Sequence, residues 1–267
     1  MLIALLVVAV AVAAGFLANR FLRARLMGAD AEGVGASDLL EPLLTLAVLV
    51  LAFVLVMASE SFGSAEKAAR TEAGVVDHLF EVAEYAPAAQ RKAIQADVVC
   101  YTRAVHAVEW PAMVRGEGSS APSVWTTDIR RHFKEMDPND AVFGILVQAD
   151  QDRSEARQNR IAEATPAVPP AFSWFMLISV AVTLAALAFC LPRKRRGAEI
   201  VLLLVLAGLL TGSLLIIHDI DRPYDGMIAI QPTAIDNTKD DDTEDYLAAY
   251  GPGSLPCDLM GKPSAAA

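Results

Sequence analysis

The densest set of chemically capable side chains in this 267-residue sequence is Asp240, Asp241, Asp242, Glu244 and Asp245. Carboxylates gathered this closely supply hard oxygen ligands, the donor type of a Ca2+ site. The EF-hand pattern is not met, because no glycine falls at its sixth position. A solvated acidic run is the competing reading, and composition favours it. Cys100 and Cys257 are a second candidate. They can pair if they face an oxidising compartment, and are otherwise two unrelated thiols. Cys190 lies in an apolar run and reads as a small apolar residue. His78, His106, His132 and His218 are scattered, with no His-x3-His or Cys-x2-Cys spacing for zinc. No Gly-x-Ser-x-Gly elbow or phosphate-cradling glycine loop is present. These residues point away from an enzyme, and Ca2+ is the one cofactor they suggest.

The elements that position these residues follow from composition. Hydrophobic residues make up 54% of the chain and the mean hydropathy is +0.39, yet the net charge is −10. Both hold together only if apolar and charged residues are segregated along the chain. The apolar content excludes a disordered protein, and the acidic balance speaks against a nucleic-acid binder. Four uncharged runs satisfy the segregation: Met1 to Asn19, the stretch between Glu41 and Glu60, the apolar part after Ala171 up to Arg193, and the stretch between Glu199 and Asp219. Each is near the ~20 residues that a helix needs to cross hydrocarbon. The first run carries its basic residues after the apolar stretch, the reverse of a secretory signal, and reads as a span.

The predicted fold is an all-α integral membrane protein with four transmembrane helices and a helical extramembrane domain between spans 2 and 3. Its segments are span 1 (1–19), a short basic loop (20–41), span 2 (42–59), the domain (60–170), span 3 (171–191), a basic loop (192–199), span 4 (200–218) and an acidic tail (219–267). The two short loops hold Arg20, Arg23, Arg25 and Arg193, Lys194, Arg195, Arg196. By the positive-inside rule they face the cytoplasm, which puts both termini and the central domain outside. Their net charge is +2, against −5 for the domain and −7 for the tail. Arg193 to Arg196 suit anionic headgroups of the bilayer.

Within the domain, Ile94, Val98, Tyr101, Val105 and Val108 recur at 4-3-4-3 spacing, which predicts one buried helix face. Pro111 is expected to end or kink that helix. Asp137-Pro138-Asn139-Asp140 predicts a helix start, with Asp or Asn as the cap and Pro in the first turn. The helix after it carries Arg153, Arg157 and Arg160 on one face, with interleaved acids that suggest a solvated, salt-bridged surface. Trp110 and Trp125 read either as anchors of a subunit contact or as core aromatics. Spans 2 and 3 are expected to extend beyond the bilayer into the domain. Asp236 to Asp245 is expected to be mobile, and the chain after Gly251 to be frayed.

Several of these pieces occur in an order that resembles the bestrophin-like domain family of bacterial membrane proteins. They are Glu72-Ala73 after span 2, Tyr101-x3-Val105-x3-Glu109-Trp110-Pro111 in the domain, and Arg157-x2-Arg160-Ile161 with Pro169 and Trp174 near span 3. Asp221-Arg222-Pro223-Tyr224-x-Gly226 with Pro232 follows span 4. The acidic tail after Thr233 and the cysteine pair lie outside that pattern. The resemblance implies a bacterial plasma-membrane protein distantly related to bestrophins, which are pentameric anion channels with four-helix subunits. By analogy with the bestrophin neck, Leu46, Leu49, Phe53 and Val56 of span 2 become candidate pore-lining residues. An acidic cluster after the fourth span of eukaryotic bestrophins invites comparison with Asp240 to Asp245. The bestrophin domain is cytoplasmic, which conflicts with the basic loops of this chain. No Asp, Glu, Lys or Arg lies within a span, which weighs against a coupled transporter and leaves a passive pore. Two functions stay open: a homo-oligomeric passive anion channel, and a non-conducting accessory or scaffold subunit of a larger membrane complex.

Overall fold

A computed structural model describes residues 2–21, 40–191 and 196–264. Arg23, Arg25, Arg193, Lys194 and Arg195, on which the orientation argument rests, lie outside them. The described residues form helices and no strand, and the chain divides into two compact units. Four helices are long and apolar enough to cross a membrane.

The first unit comprises residues 1–60 and 167–221. It contains α1 (Leu2–Phe21), the beginning of α2 (Leu40–Ala83), α7 (Pro170–Cys190) and α8 (Arg196–Ile220). Long unbroken Ala, Val and Leu runs favour helix, because each backbone group is satisfied within its own segment. Leu51, Val54, Leu177, Val180, Leu184, Leu210 and Ile217 interlock in its core. Pro169 and Pro170 set the start of α7, with Pro170 in the first turn, where a missing N–H costs nothing. Span 3 therefore does not run on into the domain as expected. Helix α2 does run from the first unit into the second over its 44 residues, with Pro42 in the first turn, where a missing N–H is tolerated.

Helices α1 and α7 approach closely. A Cβ on Gly15 would overlap the carbonyl oxygen of Ala185 and the side chain of Ala188. One turn on, Asn19 is buried and its Nδ2 donates to the carbonyls of Phe189 (2.6 Å) and Leu191 (2.8 Å). The last carbonyls of a helix have no intrahelical donor, so this amide caps the end of α7. Small residues that let backbones meet, joined by a polar bond, are the means by which membrane helices associate.

The second unit comprises residues 61–166 and 222–267. It holds the rest of α2, α3 (Ala88–Ala104), a π-turn (Val105–Glu109), α4 (Trp110–Met113), α5 (Ala121–Lys134), α6 (Ala141–Ala162) and α9 (Thr233–Tyr250). Val76, Leu79, Ile94, Val98, Tyr101, Val105, Ile129, Leu146, Ile235 and Tyr246 form its core. Asp140 caps α6, its Oδ1 accepting from Val142 N–H at 3.2 Å, so Pro138 precedes the helix rather than opening it. Trp125 is a core aromatic, and Trp110 packs edge-on against Tyr224 with ring centroids 5.3 Å apart.

Two expectations about the last segment are overturned. Asp236 to Asp245 lies within α9, whose Ile235, Thr238, Asp242 and Tyr246 face inward at helical spacing. The chain beyond Gly251 folds back and is joined to α3 by a disulfide between Cys257 and Cys100, with Cα atoms 5.8 Å apart. An acidic run looks mobile when only its charges are counted. Here Ile235 and Tyr246 supply the apolar burial that orders it.

Candidate functional site

The π-turn shapes the most highly charged part of the second unit's interior. Pro111 has no N–H to give the carbonyl of Ala107. The helix widens instead, and Trp110 N–H donates to Val105 O, five residues back. The buried stripe of Ile94, Val98, Tyr101 and Val105 therefore continues at Glu109 rather than at the expected Val108. Glu109 is fully buried, while Val108 is partly exposed.

Around that carboxylate the structure gathers residues from α2, α3, α4, α5 and α6 and from the loop at Ser119. Arg157 of α6 reaches Glu109 Oε1 through Nη2 at 2.5 Å, and Arg160 reaches Oε2 through Nη2 at 2.5 Å. Ser119 N–H donates to Glu109 Oε1 at 3.0 Å. Arg160 Nε also donates to Glu72 of α2, and its Nη1 meets the Met113 sulfur. Tyr101 OH donates to Glu72 Oε1 at 2.6 Å. The Arg160 guanidinium lies over the Trp110 ring and that of Arg153 over the Tyr101 ring. Arg153 is paired with Asp150, which also accepts from Arg130.

Two carboxylates and two guanidiniums balance at the centre of this network. Burial pushes the Glu109 carboxyl up. The Arg157 hydrogen bond, the charges of Arg160 and Arg157 and the Ser119 N–H outweigh it and hold the group below the usual carboxylate range. Burial pushes the Tyr101 hydroxyl well up, and the adjacent Glu72 charge adds to the effect. The arginine face of α6, expected to be solvated, is turned inward: Arg153 and Arg160 are each 1% exposed. Buried carboxylates without cationic partners would be far costlier than desolvating these arginines. These side chains are bonded to one another across the helices, and together they pin α2, α3, the π-turn and α6 in register.

Sequence reasoning named Glu72, Tyr101, Glu109, Arg157 and Arg160, and the structure brings all five together. Of the other family-motif residues, Trp110 and Pro111 flank the cluster, and Tyr224 packs on Trp110. Asp221 closes the first unit, accepting from Val168 N–H at 2.9 Å. Pro223 O accepts from Ile230 N–H at 2.7 Å, and Gly226 takes a left-handed φ of +98°. Nothing in the sequence marks Met113, Arg130 or Ser119 as network members, and Asp150, expected among the surface acids interleaved with the arginines, is buried beside Arg153. The five acids of the proposed Ca2+ set do not converge. Asp240 pairs with Lys239 on the outside of α9 while Asp242 is buried, since successive helical positions fan around the axis. Among the described residues no group of three or more His, Cys, Asp or Glu is arranged to hold a metal.

Leu46, Leu49, Phe53 and Val56 lie on one face of α2 and are 49%, 52%, 64% and 55% exposed. Ala47, Leu51, Val54 and Ala58, on the opposite face, are buried in the first unit. Four large apolar side chains thus stand in line outside the core of the single chain.

Burial also raises two acids outside that network, Asp97 and the Asp242 of the acidic run. Asp97 is pushed up to about 8 by burial and then by Asp128, with Arg131 opposing. Asp242 is pushed up to about 8 by burial and then by Asp77, Asp245, Asp241 and Glu81. A carboxyl whose folded pKa exceeds its unfolded value binds more protons when folded, so its stabilising contribution is lost as pH rises through the folded value. Thermal unfolding of the detergent-solubilised protein is therefore expected at lower temperature near pH 9 than near pH 5. Asp97→Asn and Asp242→Asn should flatten the profile. Stability that climbs over this range in the parent protein would contradict the assignment.

An all-helical chain with four membrane-length helices, a 44-residue second helix and a helical unit pinned by buried arginines defines a class of membrane protein. Residues 5–235 match the model of the Bestrophin-like domain, and the chain belongs to that family. Its fold is similar to that of a bacterial Bestrophin homolog from Klebsiella pneumoniae, with a TM-score of 0.69 at 12% identity over 92% of this chain and 98% of that one. A point variant of that homolog gives 0.70 at 11% identity, over 91% and 98% of the two chains. A further structure, of a variant membrane protein, gives 0.71 at 11% identity, over 92% and 98%. No curated protein matches the chain.

Proposed function

We propose that the protein is a homo-oligomeric, passive ion channel whose constriction is lined by Leu46, Leu49, Phe53 and Val56. The observation that carries this reading is the exposed apolar face of α2, set against the buried face of the same helix. Copies arranged around an axis would turn that face into an apolar neck, which can gate by wetting. Anions are the permeant species implied by the family resemblance. The acidic balance of the second unit works against them, so the sign of the reversal potential in a KCl gradient decides the selectivity. The experiment is a planar-bilayer recording of purified protein. Phe53→Ala removes the bulkiest and most exposed side chain of the stripe and should raise unitary conductance. Flat records from well-folded oligomers would sink the pore reading, and fixed-ratio co-purification with another membrane complex would point to an accessory subunit.

The plasma membrane is the proposed location, with the second unit as an extramembrane domain on the outer side. The buried disulfide supports this, because such bonds persist in oxidising compartments. After reduction of intact cells, a membrane-impermeant thiol reagent should label Cys100 or Cys257. Labelling only after lysis would reverse the orientation.

A further inference from the structure

The segment after α9 makes an unusually specific set of contacts with one short stretch of α3. Cys257 is bonded to Cys100. Arg103 Nη1 donates to the Asp258 carbonyl at 3.4 Å. Trp125 Nε1–H donates to the Gly261 carbonyl at 2.7 Å. Gly261 has a left-handed φ of +68°, and a Cβ there would overlap the backbone nitrogen and Cα of Ala104. Asp258 Oδ1 stiffens the turn by accepting from Met260 N–H and Lys262 N–H at 2.8 and 2.9 Å. All of these contacts fall on residues 100–104 or on the α5 tryptophan beside them. Val105, the next residue, opens the π-turn that carries Glu109 into its arginines.

We propose that residues 251–264 form a disulfide-latched clamp that holds the π-turn in register, so that thiol–disulfide exchange at Cys100–Cys257 controls the seating of Glu109. Pro111 removes the bond that would close this turn regularly, and contacts on the preceding turn then fix where the wider bond falls. With the latch closed, the Gly261 backbone blocks the movement of Ala104 that a return to regular α-helix would require. A dithiol reductant opens the latch. Its first thiolate attacks Cys257 Sγ, because the Cys257 residue is 6% exposed and Cys100 is fully buried. Cys100 departs as a thiolate and takes up a proton. The second thiol resolves the mixed disulfide, leaving Cys257 as a thiol and the reductant as a disulfide. The dithiol supplies both electrons and both protons.

The test is hydrogen exchange on the full-length protein in detergent, before and after reduction, with thiol state read by alkylation and mass. Reduction should speed exchange of the Val105–Trp110 amides and of Ser119 N–H by roughly tenfold or more, while the α6 amides around Leu146 to Ala156 stay protected. The Cys100→Ser, Cys257→Ser double variant should match the reduced protein and ignore reductant. Gly261→Ala keeps both sulfurs but wedges the clamp from Ala104, and should reproduce the faster exchange with the disulfide intact. The proposal is overturned if complete reduction leaves the 105–110 amides unchanged. It also fails if the protein isolated without reductant carries free thiols at both positions, or if reduction loosens the whole second unit uniformly.

Discussion

Replacing Arg160 with Met should cost about 3–5 kcal/mol of folding stability, because it strands buried charge on two carboxylates at once. Arg160 is the only group that touches both Glu72 and Glu109 among the network bonds described. Glu109 keeps Arg157 in the variant, but Glu72 keeps only the Tyr101 hydroxyl. The expected result is a large fall in the thermal midpoint of the solubilised protein, with the greatest loss of exchange protection in the second unit. Glu72→Gln in the same chain should recover a substantial part, since a neutral amide tolerates burial far better than a lone carboxylate. Single and double variants then form a cycle whose coupling energy belongs to the pair. Additive losses would show that the bond between Glu72 and Arg160 contributes little beyond each side chain's packing.

The second large effect belongs to the other unit. Gly15→Ile places a branched side chain where a single Cβ already overlaps the Ala185 carbonyl and the Ala188 methyl. Overpacking of a well-packed core costs about 1–3 kcal/mol, and the obstacle here includes backbone, so the loss should lie at or beyond the top of that range. Separation of α1 from α7 would also remove the Asn19 cap from the Phe189 and Leu191 carbonyls. Gly15→Ala should be the milder member of the series. Proteolytic sensitivity and thermal unfolding of the two variants against the parent provide the measurement, and equal stability of all three would refute the close approach.

How much of this was legible depended on whether the signal was local. Four spans stood out because each is a contiguous uncharged run, and a run is readable without knowing its partners. Glu72, Tyr101, Glu109, Arg157 and Arg160 were readable as motif members, but not as one cluster. Arg160 and Glu72 are 88 positions apart, and nothing in either neighbourhood announces the other. The same blindness led the α6 arginines to be read as solvated: a basic face on a polar helix looks exposed until its buried acids are known. The π-turn defeated the 4-3-4-3 pattern at its final step, because one extra residue per turn moves Glu109 into the place foreseen for Val108. Segment α9 was misread for the opposite reason. Its charge run dominates composition, while the burial that orders it comes from a few spaced residues such as Ile235 and Tyr246.

The Asn19 cap bears on how the chain is made. The amide and its Phe189 acceptor are 170 positions apart. At the usual ~5–20 residues per second, synthesis of the intervening chain takes roughly 10–30 s. Helix α1 therefore leaves the ribosome long before α7 exists, carrying a polar side chain whose final partner has not been translated. Asn19 is the last residue of the first apolar run and stands beside Arg20, where headgroups and water can serve an amide until α7 arrives. The cap is thus among the late bonds of the first unit, made only when the third apolar helix comes to lie against the first, and Asn19→Leu should weaken that last step of assembly.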